Sequence, residues 1–194
     1  MTTNFSGGGI LPIVKISRDG KETLCFVTFS SRRGVLSDAG GKCDFGETIQ
    51  KTCTREFFEE SCKLFDISSD TLSSQNFIDI SAGRTFYRSY VPLIDINLDN
   101  NLFLKNRMSL KSSTRKRYYF EKTEMVLIPV DVQLSRLDLN SNKVYTTKDI
   151  NGQSRLVNRR LYKLIRDFRN SGKLTTDLLL ERNQIGELVT YFSK

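Results

Sequence analysis

The chain has no histidine. That removes Ser-His and Cys-His nucleophilic machinery, in which an imidazole must take the proton of the attacking group. It also has no Cys-x-x-Cys pair: its four cysteines are Cys25, Cys43, Cys53 and Cys62. A structural zinc site would have to gather all four from unpaired positions, whereas such sites draw on closely spaced thiolates. The cysteines read instead as small core residues and free thiols of a reducing, intracellular and cytoplasmic setting. The opening stretch Met1 to Gly9 carries neither a basic nor an apolar segment, so no secretory signal is expected. No apolar run reaches membrane-spanning length, so no membrane partner is expected across the bilayer.

What is present describes a globular chain. A length of 194 residues suits one domain with a short appendage and is enough to bury a core. A hydrophobic share of 38% with 10% aromatics argues against disorder. The 30 basic and 22 acidic residues leave a net charge of +8, which suggests an anionic partner such as phosphates, nucleic acid or an acidic surface. The plain alternative is a soluble basic protein.

The order of elements follows from periodicity. Residues 1–9, with three glycines, read as a loose tail. Ile10 to Ile16 reads as a strand, Arg18-Asp19-Gly20-Lys21 as a hairpin turn and Thr23 to Phe29 as the returning strand. Phe77 to Ser81 and Thr85 to Ile94 read as two further strands around Ala82-Gly83-Arg84. Asp95 to Asn101 reads as a loop. Lys105 to Arg117 holds six basic residues and no acidic one, and reads as an exposed loop or a lid that attracts polyphosphate or RNA. Tyr118, Tyr119 and Phe120 suit core packing or, alternatively, base stacking. Glu124 to Val132 is a buried strand, and Leu134 to Gly152 is polar and irregular. Leu156 to Phe168 predicts a helix with Val157, Leu161, Leu164, Ile165 and Phe168 on its apolar face. Arg155, Arg159, Arg160, Lys163, Arg166 and Arg169 crowd the other side, as a solvated face or part of a nucleic-acid groove. Thr176 or Asp177 can cap a last helix. The plan is mixed α/β, with a 10–170 domain and a C-terminal helical extension over 171–194.

The stretch from Gly40 to Leu64 concentrates chemistry. Glu47, Glu56, Glu59 and Glu60 lie beside a glycine turn, and clustered carboxylates suit hard divalent cations. Thr48 to Leu64 predicts a helix, because Ile49, Cys53, Phe57 and Leu64 recur on one side. At about 100° per residue, Glu56, Glu59 and Glu60 cover roughly a quarter to a third of its circumference. They can therefore face one small volume. The bland alternative is a solvated helix face with pairs such as Arg55 and Glu59.

This stretch resembles the signature of the Nudix hydrolases: a glycine, five residues, a glutamate, seven residues, then Arg-Glu-U-x-Glu-Glu-x-Gly-U, with U a bulky aliphatic. Gly41, Glu47, Arg55, Glu56, Glu59 and Glu60 match in type and spacing, with Phe57 at the first apolar position. Cys62 stands in place of the closing glycine, and Lys63 in place of the last aliphatic. The resemblance implies an α/β/α sandwich with a mixed β-sheet between helices, plus the extra C-terminal helix. It implies a pyrophosphohydrolase that uses Mg²⁺ or Mn²⁺ to cleave a nucleoside diphosphate linked to another moiety. Glu56, Glu59 and Glu60 would bind the metal with a carbonyl near Gly41. Arg55 would orient the carboxylates, and Glu47 would brace the loop. The general base would be a box glutamate or a later one, Glu121 or Glu124. Candidate substrate contacts are Arg32, Arg33, Lys42, Arg84, Arg115, Lys116, Arg117 and Tyr119. Family members are often homodimers, although no segment here specifies an interface. The substrate stays open among 5′-capped RNA, small dinucleotides or ADP-ribose, damaged nucleoside triphosphates and inositol pyrophosphates. The rival reading is a catalytically silent nucleotide- or RNA-binding module.

Overall fold

The computed structural model describes residues 4–18, 20–94, 98, 100–113, 121–139 and 142–172. Within them the chain is mixed α/β, with two sheets and four helices. The smaller sheet has the order β5-β1-β7-β6, formed by β1 (Phe5–Ile10), β5 (Ala39–Lys42), β6 (Phe77–Ala82) and β7 (Thr85–Tyr90). β1 runs parallel to β7 and antiparallel to β5. The larger sheet is built around the long strand β3 (Lys21–Ser31), which pairs with β2 (Ile13–Arg18), β4 (Val35–Ser37) and β9 (Lys122–Pro129). β8 (Leu93–Ile94) extends it beyond β2. β12 (Ser154–Val157), β11 (Asn142–Lys148) and β10 (Ser135–Leu139) extend it beyond β4.

Side chains alternate across a strand, so a sheet between two helices feeds two cores. On one face of the smaller sheet, Ile10, Ala39 and Tyr90 pack with Cys53 and Phe57 of α1 (Ile49–Glu60). On the other, Ile78 and Ile80 pack with Leu161, Leu164, Ile165 and Phe168 of α4 (Arg159–Asn170). α2 (Ser69–Ser73) and α3 (Asn100–Ser113) complete the helices, with Phe103 and Leu110 of α3 in the first core.

Several elements depart from the sequence-based expectations. Phe5 to Gly9 belong to β1 and are no loose tail. A Cβ on Gly8 would lie 2.5 Å from Cys53 Sγ and 2.6 Å from Ile49 Cδ1, so glycine here lets α1 approach the sheet. The run Ile10 to Ile16 is broken at Leu11-Pro12, which sends β1 and β2 to different sheets. Thr85 to Ile94 divides in the same way into β7 and β8. The basic segment is helical through Ser113, not a loop. Residues 134–152 contain the β10–β11 pair, whose exposed Leu137 hides the usual burial alternation. Leu156 and Val157 are strand, and α4 starts after Asn158, whose Oδ1 accepts Leu161 N–H at 2.7 Å. Residues 173–194, with the expected last helix, and Tyr118 to Phe120 lie outside the described residues.

α1 itself begins at Thr48, whose Oγ1 accepts Lys51 N–H at 3.3 Å, and is capped at Ser61. Cys62 and Lys63 follow with φ of 55° and 59°. A residue with a side chain costs about 1 kcal/mol or more in that left-handed region. The Cys62 side chain is fully buried in the first core, which offsets the strain a glycine would avoid.

Candidate functional site

The glycine turn and α1 are joined by one guanidinium. Arg55 Nε and Nη2 donate to the two oxygens of Glu47 at 2.8 and 3.0 Å, a two-point charge-assisted fork. Nη2 also donates to the Lys42 carbonyl at 3.2 Å and lies 3.6 Å from Asp44. Nη1 donates to Glu56 Oε1 at 2.9 Å and lies 3.6 Å from Glu59 Oε2. Glu47 also accepts from Thr52 Oγ1 at 2.8 Å and from Asp44 N–H at 3.2 Å. The hydrogen bond from Arg55 holds the Glu47 carboxyl down at about 2. Gly41 lies against the same carboxylate: a Cβ there would displace the Glu56 carboxyl group from its present position.

Glu56 and Glu59 are partly buried beside Arg55. Burial raises both above the usual carboxylate range, against the pull of Arg55. Glu121 and Asp44 push Glu56 further up, and Glu56, Asp44 and Glu47 do the same to Glu59. The carboxylates thus share one region of negative potential.

Glu60 has different company. Its Oε1 lies 3.0 Å from Lys122 Nζ, and its Oε2 accepts Gly40 N–H at 2.8 Å. Burial raises it to about 7, with Lys122 and the Gly40 N–H opposing the rise. Lys122 Nζ also donates to Ser37 Oγ at 2.6 Å. Among the described residues, no group of three carboxylates or thiolates converges at metal-ligand spacing.

Behind the glycine turn lies a second buried polar cluster. Asp38 accepts from Tyr87 Oη at 2.8 Å, Ser89 Oγ at 3.4 Å and Arg160 Nε at 2.9 Å. Arg160 Nη2 donates to the Gly40 carbonyl at 3.3 Å, and its guanidinium sits 4.2 Å from the Tyr87 ring centroid. The Gly40 residue is therefore held by Glu60 through its N–H and by Arg160 through its C=O.

The remaining candidates scatter. Glu121 is exposed but close enough to influence Glu56. Glu124 instead pairs with Arg155 at 3.1 Å and lines a separate cavity of about 380 Å³ with Arg18, Asp149 and Asn151. That cavity includes no box residue. Arg155 is on β12, not on the helix where the sequence pattern put it. Arg32 and Arg33 are exposed in the turn after β3, and the Lys42 side chain is exposed at the end of β5. Arg84 is exposed in the β6–β7 turn, near where Phe86 N–H donates to the Asn4 carbonyl. Arg115, Lys116, Arg117 and Tyr119 lie outside the described residues.

Asp38, Ser37, Tyr87, Ser89, Arg160 and Lys122 escaped the sequence reading. Asp38 precedes the glycines and Lys122 sits between the two singled-out glutamates, but neither position announces its partner. Arg160 looked like one more member of a solvated basic face.

No protein-family model matches the chain, and no curated protein matches it. Solved structures of Nudix type are similar in fold. A MutT/nudix family protein from Enterococcus faecalis is 12% identical over 89% of this chain and 64% of its own length, with a TM-score of 0.47. A NUDIX hydrolase from Nitrosomonas europaea is 11% identical over 91% of this chain and 97% of its own, with a TM-score of 0.40. An Ap4A hydrolase from C. elegans in a binary complex is 17% identical over 48% of this chain and 68% of its own, with a TM-score of 0.33. The chain thus spans just under two thirds of the Enterococcus protein.

Proposed function

We propose that the chain is a Nudix-type pyrophosphohydrolase that uses Mg²⁺ or Mn²⁺ to cleave the diphosphate of a nucleoside diphosphate linked to another moiety. The observation that carries this reading is the Arg55 fork. It fixes Glu47 on the loop and brings Glu56, whose carboxylate lies against Gly41, and Glu59 to one guanidinium nitrogen. Two partly buried carboxylates that share one guanidinium are an oxygen donor set of the kind that fits a hard cation. Mg²⁺ keeps much of its water and takes one or two carboxylates with substrate phosphates, which suits Glu56 and Glu59. When bound, such an ion neutralises phosphate charge and acidifies an attacking water.

The protein's own groups have separate tasks. Arg55 holds Glu56 and Glu59 in orientation, and Glu47 holds Arg55. Hydrolysis adds water across one P–O bond of the diphosphate. The water's proton passes to a carboxylate, and the leaving phosphate departs with the bonding pair. Glu121 is the favoured later-loop base, because it acts on Glu56 electrostatically whereas Glu124 is engaged by Arg155.

A 5′-capped RNA, cleaved as in decapping, is the finer substrate reading, supported by the net charge of +8. A panel of capped RNA, free cap dinucleotide, ADP-ribose, dinucleoside polyphosphates, oxidised triphosphates and inositol pyrophosphates tests it, with product masses as readout. Capped RNA should be preferred over the free cap, and rising salt should erase the preference. Equal, salt-insensitive cleavage of both would remove the RNA reading and leave the small-nucleotide one.

A further inference from the structure

Resting on that reading of the box, we propose that Lys122 is a built-in cation. It occupies Glu60, so that the site takes a single divalent ion, on Glu56 and Glu59. Lys122 and Glu60 are both nearly buried, at 8% and 7% exposure. A lysine at that depth is costly unless a carboxylate meets it, and here the carboxylate belongs to the box. Three independent features aim it there. The β3–β9 register shifts between Ser30 and Ser31, and Ser31 is the residue paired with Lys122; such bulges redirect side chains. Ser37 Oγ accepts from Nζ at 2.6 Å. Arg107 Nε of α3 donates to the Lys122 carbonyl at 2.8 Å and pins the backbone.

The consequence is a division of the three box carboxylates. Both Glu60 oxygens have donors, one the ammonium and the other Gly40 N–H. A second divalent ion at Oε1 would have to displace a cation 3.0 Å away or endure its repulsion at short range in a poorly screened interior. Among the described residues, the ion pairs of Glu56 and Glu59 are with Arg55, at one oxygen of each.

The test is a Mn²⁺ titration of the full chain, with free ion followed by electron paramagnetic resonance. The unmodified protein should bind one ion, Lys122→Arg one, Lys122→Met two, and the double variant Lys122→Met/Glu60→Gln one. Two ions on the unmodified chain, or one on a folded Lys122→Met, would overturn the proposal. If Lys122→Met is unfolded in chelator, millimolar Mn²⁺ should fold it by replacing the ammonium; a variant that stays unfolded with the ion contradicts the assignment. Failure of the underlying reading looks different. The unmodified chain would then bind no Mn²⁺ and hydrolyse nothing in the substrate panel, which would sink both claims together.

Discussion

Two basic residues serve the same acidic box from opposite directions. Arg55 comes from the helix that carries the carboxylates and is about a quarter exposed, at 27% of its side chain. Lys122 comes from the start of a distant strand and keeps only 10% of its side chain exposed. Arg55 spreads its donors over Glu47, Glu56 and the loop carbonyl, and leaves carboxylate oxygens for another cation. Lys122 concentrates on one carboxylate and one hydroxyl. A shared, solvated guanidinium orients; a buried ammonium neutralises. The two should therefore fail differently when removed.

The largest effect belongs to the buried pair. Lys122→Met leaves the Glu60 carboxyl buried without its cation, and breaking a buried ion pair from one side costs about 3–5 kcal/mol. Urea unfolding in chelator should read that loss, and adding Glu60→Gln should recover most of it. A single variant as stable as the unmodified chain would erase the contrast. Next comes Arg55→Ala, which frees Glu56 and Glu59 from their orienting donor. Loss of a residue that positions metal ligands lowers ion affinity or turnover about 10–100-fold. Mn²⁺ affinity should fall while the fold stays intact; unchanged affinity would make Arg55 a surface pair.

A smaller, pH-dependent effect separates Glu47. Arg55 and Thr52 lower its carboxyl from the ordinary 4.5 to about 2. A depressed carboxylate contributes stability that is present above the unfolded value and is lost as pH falls towards the folded one. Glu47→Gln should thus be less stable than the unmodified chain at neutral pH, with the gap closing between about pH 4.5 and 2. A gap independent of pH would contradict the fork as its source. The smallest effect is on the thiols. Burial pushes Cys25 and Cys62 up to about 12 and Cys53 higher still, so all three should alkylate only as the protein unfolds. Rapid labelling of the native chain at these positions would contradict the cores described above.

What was legible in the sequence was local. Glu47, Arg55, Glu56 and Glu59 lie within one loop and one helix, so spacing alone brought them together. The Lys122–Glu60 pair depends on a bulge between β3 and β9, and Asp38–Arg160 joins residues 122 positions apart. No window of sequence contains either relation. Gly7 to Gly9 misled for another reason: their composition suggests freedom, while their function is close approach by α1 and β5. The segment before Ser113 misled through charge, because its basic residues obscured the apolar positions Phe103 and Leu110 that seat α3 in the core. Leu156 and Val157 extended a helical pattern that in fact starts after Asn158, where a strand enters the cap.

The most direct measurement compares Glu56→Gln and Glu59→Gln with the unmodified chain on whichever diphosphate of the panel is cleaved. Each replacement keeps the size and removes one charge from the pair assigned to the ion. The account predicts at least a roughly 100-fold fall in turnover with Mg²⁺, beyond the loss from Arg55→Ala, together with loss of Mn²⁺ binding. Two folded variants that hydrolyse the substrate and bind Mn²⁺ as the unmodified chain does would contradict it.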